Sequence, residues 1–326
     1  MTDPRLEAEA FAAAPTDLEF VDHAFALVLR RPPDHEARER ALAKLADGTL
    51  SRATLLHELV TSEEFGRVRE LDDAVALGAC ARARGERLAW LQALGGTDER
   101  VIEIPWVLSR LVPSGRVLEV GFAFAEAPYL AALLRSGVEL VGVDLARRDV
   151  DGIEAVEADV RSLPFEERSF DQVLLVSTLE HVGADNTVYG VPSRAPDAEP
   201  DASGRLEALR ELRRMLAPGG SLLVTVPLGE PGDHGWFHQD DVRGWTRLFT
   251  RAGLFVEEQE AYELGESGWA AAPGFRAEGV RYGERGSAAS AVLCTELSPG
   301  RLRRLLTPDG LERTARRRLR RVRHRT

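Results

Sequence analysis

Residues 116–144, RVLEVGFAFAEAPYLAALLRSGVELVGVD, decide the fold. Val117, Leu118 and Val120 are branched and apolar and run into Gly121, the pattern of a buried strand with a turn behind it. Residues 127–135 are helix formers, with Leu130, Leu133 and Leu134 spaced i, i+3, i+4 on one face. A second apolar run, 140–143, ends at Asp144. This is a βαβ unit, and in open parallel sheets ligands bind outside the carboxyl ends of the strands. There Gly121 lets the backbone come close to a ligand, and Asp144 can hold a ribose by its hydroxyls. Every α/β domain contains such a unit, so the flanking sequence must decide between a ligand site and a plain scaffold.

Downstream, a third run (153–158) ends before Asp159, and LPFEERSFDQVLLVSTLEHV (163–182) and LRRMLAPGGSLLVTVP (212–227) follow. The series resembles class I S-adenosylmethionine-dependent methyltransferases, over roughly residues 101–297. The resemblance implies an α/β, Rossmann-like sheet in the order 3-2-1-4-5-7-6 with the last strand antiparallel. Strands six and seven are expected at 253–264 and 289–297. It also implies S-adenosylmethionine as cofactor. Glu119 and Gly121 would face its methionine part, Asp144 its ribose, and Asp159 with Val160 its adenine. Ser177, at the end of the fourth strand, joins the same cofactor set.

Two departures stand out. The family has glycines two and four places after Gly121, where this chain has Ala123 and Ala125. Alanine at positive φ costs about 1–2 kcal/mol, so the loop must run differently or bind the cofactor less well. The same absence counts against a dinucleotide oxidoreductase, whose G-x-G-x-x-G needs all three glycines. The link from Asp144 to Ile153 is too short for a full crossover helix, and one turn or none is expected.

The chain of 326 residues suggests two domains. Its start, MTDPRLEAEAF, does not read as a signal peptide, and no apolar run reaches the length of a membrane span. Cys80 and Cys294, far apart, read as buried thiols of a reducing compartment, and the expected location is cytoplasmic. The net charge is −11, but residues 301–326 hold eleven arginines against Asp309 and Glu312, or +9, so the remainder carries −11 − 9 = −20. An acidic body argues against nucleic acid as partner. In the tail, Leu311, Ala315, Leu319 and Val322 form a narrow apolar stripe among arginines. Such a helix suits weak contact with an anionic membrane face; a solvated arm, or one docked on the acidic body, is the alternative.

Residues 16–66 read as three helices, with Asp17, Asp34 and Ser51 as caps. The pattern FVDHAFALVLRRPPD…GTLSRATLLHELVTSEEF resembles the bacterial domain of unknown function 4214, a module related to phycobilisome-linker repeats. The domains expected are a helical module (1–70), a helical linker (71–100) with a hinge at Gly95-Gly96, the methyltransferase domain (101–297) and the basic tail (298–326).

Methyl transfer to a hydroxyl needs alignment and a base. His181, just past the fourth strand, and His234, past the fifth, are the catalytic candidates; orienting a loop or the cofactor is the alternative for His181, packing against Trp236 for His234. His238 reads as a helix-start residue and Asp240 as the N-cap behind it. Asp233, His234, His238, Asp240 and Asp241 have metal-ligand chemistry but no established metal spacing, and the site is read as metal-free. Trp236, Phe237, Trp245 and Trp269 can line an acceptor pocket, as can the insertion 265–288 with Phe275, Arg276, Arg281 and Tyr282. The loop 183–204, carrying Tyr189, has the position of a substrate lid. The expected function is O-methylation of a small molecule or glycan precursor. The rivals are a non-catalytic scaffold that has lost the cofactor and a membrane-surface adaptor.

Overall fold

The computed structural model describes residues 16–94, 97–190, 203–272, 279–286 and 288–300. The arginine tail, Gly95-Gly96, most of the proposed lid (191–202), and Phe275 and Arg276 lie outside the described residues. The chain divides into two compact units, Met1–Asp73 and Ala74–Thr326.

In the first unit, α1 (Asp17–Leu29) is capped by Thr16 and not by Asp17. Thr16 Oγ1 accepts from Glu19 N at 3.2 Å and the Glu19 carboxylate accepts from Thr16 N at 3.1 Å, a reciprocal capping box. Asp17 instead pairs with Arg52 at 2.8 Å. Asp34 caps α2 (His35–Ala46) and Ser51 caps α3 (Arg52–Val60). The apolar face of α1, from Phe20 to Leu29, is buried in one cluster with Leu55 and Leu59. α4 (Glu63–Ala83) begins in this unit and ends in the second. It stops because Gly85 adopts φ 65° and closes a Schellman turn, with Glu86 N donating to Ala81 O at 2.8 Å. The segment 71–100 is therefore not helical throughout. Cys80 is exposed, contrary to expectation, while Cys294 is buried.

The second unit is built on a mostly parallel sheet. β1 (Gln92–Ala93) and α5 (Arg100–Leu108) lead to β2 (Arg116–Val120), α6 (Ala127–Arg135), β3 (Glu139–Asp144), β4 (Glu154–Glu157) and β5 (Phe170–Val176). Then come α7 (Gly204–Met215), β6 (Leu216–Pro227), the hairpin β7 (Gly232–Asp233) and β8 (His238–Gln239), α8 (Val242–Arg251), β9 (Phe255–Gly265), β10 (Gly268–Ala272) and β11 (Ala291–Ser298). The order is β1-β10-β9-β11-β6-β5-β2-β3-β4. Seven of these strands reproduce the expected 3-2-1-4-5-7-6, with β11 antiparallel to both neighbours. β10 and β1 extend the sheet beyond it. Part of the insertion after β9 is thus sheet, and Trp269 is core: it is 1% exposed and its indole donates to Thr97 O at 3.2 Å. No helix joins β3 to β4, as the short link required.

The register sets the site. Val120 pairs with Val143 and Leu175, Asp144 with Glu157, and Val176 with Thr225. The residues just past these strands therefore emerge along one carboxyl edge. Beneath them the branched residues of β2, β3, β5 and β6 share one buried core with α7 and α8.

Candidate functional site

Gly121 leaves β2 at φ 87°, and a Cβ there would lie 2.4 Å from Thr178 Oγ1. Only glycine fits both the angle and the space. The chain then makes a 3-10 turn over Phe122–Phe124. Ala123 is not among the residues at positive φ, and Ala125 is extended at φ −67°. The alanines therefore carry no backbone strain. Three features hold the loop. Phe122 is buried against Gly142 of β3, where a Cβ would meet the ring at 2.5 Å. Arg148 Nη1 donates to the carbonyls of Ala123 (3.0 Å) and Ala125 (2.9 Å). Ala123 N donates to Asp144 Oδ2 at 3.0 Å.

Asp144 accepts a second bond, from Ala146 N at 3.0 Å. Leu145 N is a third backbone donor to this carboxylate, which leaves acceptor capacity for a diol hydroxyl. Burial raises its carboxyl, against those backbone donors. Ala158 N donates to Asp144 O at 2.9 Å, which brings the exit of β4 beside that of β3. Asp159 follows; Arg161 Nε donates to both its oxygens, at 2.9 and 3.0 Å. Val160 is half-buried against the sheet core. Glu119 lies beneath Gly121, 2% exposed, accepting from Tyr129 Oη at 2.9 Å, and burial pushes its carboxyl up to about 8. Ser177 sits at φ 40°, and its hydroxyl donates to Glu103 Oε1 of α5 at 2.7 Å.

His181 occupies the centre of the edge. Its Nδ1 lies 2.8 Å from Trp236 O, a carbonyl that can only accept, so Nδ1 carries the proton and Nε2 is the basic nitrogen. Nε2 is 3.5 Å from Tyr189 Oη and 3.9 Å from Glu180 Oε1. Burial lowers the imidazole, which keeps it neutral near pH 7. The ring stacks on Trp236 and meets Tyr189 edge-on, both at 5.4 Å between centroids. Tyr189 in turn lies 5.0 Å from Phe124 of the Gly121 loop. An aromatic wall thus runs from that loop to the β7–β8 hairpin, tied there by Asp185 N donating to Gly235 O at 2.9 Å.

His234 is exposed and stacks flat on Phe237, 4.4 Å away, so it stands at the rim beside Tyr282. His238 is part of β8, paired with Asp233, and not a helix start. Asp241, not Asp240, caps α8, accepting from Gly244 N at 2.6 Å. Trp245 is core. Among the described residues no group of three or more His, Cys, Asp or Glu is placed to hold a metal, so the grouping at 233–241 does not assemble.

Sequence reasoning placed a helix at 99–111 but did not single out the charged residues at the start of α5. Arg100 donates to Glu103 at 2.5 Å and lies 3.9 Å from Glu99. Glu99 and Glu180 are buried, and one oxygen of each has no hydrogen-bond partner. Burial and then neighbouring Glu103 push the Glu99 carboxyl up to about 7, and burial raises Glu180 strongly.

Residues 118–224 match the family described as "Methyltransferase domain", and residues 6–68 match the domain of unknown function DUF4214. The human "Probable tRNA methyltransferase 9B" is 26% identical over 127 residues, 39% of this chain and 24% of that protein. The chain thus spans about a quarter of that relative. The "Ubiquinone/menaquinone biosynthesis C-methyltransferase UbiE" of Hahella chejuensis is 26% identical over 232 residues, 71% of this chain and 77% of that one. Among solved structures, the Burkholderia thailandensis 1,6-didemethyltoxoflavin-N1-methyltransferase, with bound 1,6-didemethyltoxoflavin and S-adenosylhomocysteine, covers 85% of this chain and 89% of its own at 16% identity, TM-score 0.38. Among the described residues no helix is long and apolar enough to cross a membrane.

Proposed function

Because the chain carries a class I S-adenosylmethionine-dependent methyltransferase domain behind a DUF4214 module, we propose that it methylates a hydroxyl of a small molecule or glycan precursor, with His181 as base. The observation carrying this reading is the anchored imidazole, with Nδ1–H on the Trp236 carbonyl and Nε2 facing the aromatic wall.

The residues at the edge suit the cofactor. Gly121 presents backbone with no side chain in the way, and Asp144 keeps acceptor capacity for a ribose hydroxyl. Asp159 and Val160 flank the adenine end. Glu119 and Ser177 support the methionine end from below, through Tyr129 and Glu103. When bound, S-adenosylmethionine would supply a sulfonium-activated methyl group, with the sulfur keeping the electron pair of the broken carbon–sulfur bond. His181 Nε2 takes the hydroxyl proton, and the Trp236 carbonyl steadies the imidazolium through Nδ1–H. The aromatic wall offers flat faces to a sugar or planar acceptor. The −20 carried by residues 1–300 supports a small acceptor over a nucleic acid. His234, at the rim, is the second candidate base.

The test is turnover of His181→Ala. Loss of about 10²–10⁴ with unchanged cofactor affinity is expected of a general base. An equal loss of cofactor affinity would make His181 part of the cofactor pocket instead. Loss only in His234→Ala would move the base to the rim.

A further inference from the structure

Four carboxylates stand at this edge, those of Glu99, Glu103, Glu119 and Glu180, against one guanidinium, Arg100. Glu103 is matched by Arg100 and by the Ser177 hydroxyl, and Glu119 by Tyr129. Glu99 and Glu180 have only longer contacts, to Arg100 and to His181 Nε2, each at 3.9 Å. They are 8% and 4% exposed, and each keeps a buried oxygen without a hydrogen-bond partner among the described residues. An unpaired polar oxygen of this kind is costly unless something else completes it. Both carboxylates also act on the same two rings. Burial first, and then proximity to Glu180 and Glu99, raises the phenols of Tyr189 and Tyr282, with Tyr189 also acting on Tyr282. Tyr282 closes on Phe237 at 4.3 Å and meets Trp236 edge-on at 5.9 Å. Buried carboxylate oxygens backed by aromatic rings form a site for a cation with N–H donors.

Resting on the methyl-transfer reading, we propose that the acceptor is an amino alcohol: its ammonium is held by Glu99 and Glu180 against Tyr189 and Tyr282, and its hydroxyl is presented to His181 Nε2. The spacing fits. Glu180 Oε1 and His181 Nε2 are 3.9 Å apart, so an N–H and an O–H on neighbouring carbons reach one each. This is the arrangement of a 2-amino sugar. Burial favours the protonated form of both carboxyls, and an ammonium bound there would take the place of those protons as counter-charge, while Arg100 stays with Glu103. The rival source of the same chemistry is the ammonium of the cofactor's methionine.

The test is calorimetry on the full chain at pH 7, with and without saturating S-adenosylhomocysteine. The probes are glucosamine, N-acetylglucosamine and glucose. Glucosamine should bind at least about tenfold tighter than either neutral sugar. Glu180→Gln, which keeps the shape, should erase that preference and leave S-adenosylhomocysteine affinity within about twofold; Glu99→Gln is the second variant. Equal binding of all three sugars, or of none, overturns the proposal. A fall in S-adenosylhomocysteine affinity in Glu180→Gln, with the sugar preference intact, assigns the site to the cofactor and overturns it too. Glucosamine preference in a protein that does not bind S-adenosylhomocysteine keeps the amine site and removes the methyl-transfer reading.

Discussion

His181 derives its chemistry from one backbone carbonyl. Trp236 O fixes the tautomer, and burial lowers the imidazole below its ordinary range. A base must be neutral to act, so turnover should hold as pH falls through about 6.5 and drop only below it. A turnover profile measured from pH 5 to 8 checks this; an acid limb above 6.5 would mean that another group is the base. His181 and Gly121 were legible because they sit at fixed offsets from strands that the apolar pattern reveals. Thr16 was legible in principle: Glu19 three places on is the capping-box signal, and Asp17 obscured it by pairing with Arg52. Asp240 and Asp241 are both competent caps, and only the start of α8 decides between them.

The Gly121 loop shows what sequence could not settle at the level of elements. A glycine-poor loop read as strained or altered. The course the loop takes depends on two distant residues, Gly142 and Arg148, that make room for Phe122 and clamp the carbonyls. Neither belongs to the motif, so spacing gave no hint of them. Gly142→Ala puts a methyl inside contact distance of the Phe122 ring and should destabilise by about 1–3 kcal/mol. Arg148→Ala removes charged hydrogen bonds and should cost about 1.5–3 kcal/mol where they are well formed, less for their exposed part. Urea midpoints of both variants, read by tryptophan fluorescence, test the clamp; an unchanged midpoint in Gly142→Ala would contradict the packing. The strands were legible because the apolar runs carry a periodic signal, and their order followed from the family resemblance. β10 and β1 were not: Gln92–Ala93 is a two-residue strand, and 268–272 is short and alanine-rich, so pairing rather than pattern makes them strands.

At the scale of the whole molecule, the acid-rich edge couples folding to pH. Glu119 and Glu99 are held up to about 8 and about 7, above the ordinary carboxylate range. The folded chain therefore keeps protons that the unfolded chain releases. The stability they contribute is present below the ordinary carboxylate pKa and is lost as pH rises through 7 and 8. Glu119→Gln should flatten that decline, so urea midpoints of wild type and variant, compared at pH 5 and pH 8.5, should converge at the lower pH. Parallel lines would show that Glu119 is not protonated in the fold. This cluster was hidden in the sequence because α5, β2, the turn after β5 and the hairpin after β6 meet only in three dimensions.

The proposed methyl-donor site lies at this edge, around Gly121 and Asp144. Calorimetric titration of S-adenosylhomocysteine into the full chain and into Asp144→Ala tests it most directly. Saturable one-to-one binding, weakened in the variant by about 1.5–3 kcal/mol, is expected for lost hydrogen bonds to a carboxylate. Equal affinity in both proteins would remove Asp144 from the site, and no binding by the wild type at millimolar ligand would leave a sheet that has kept the fold and lost the cofactor.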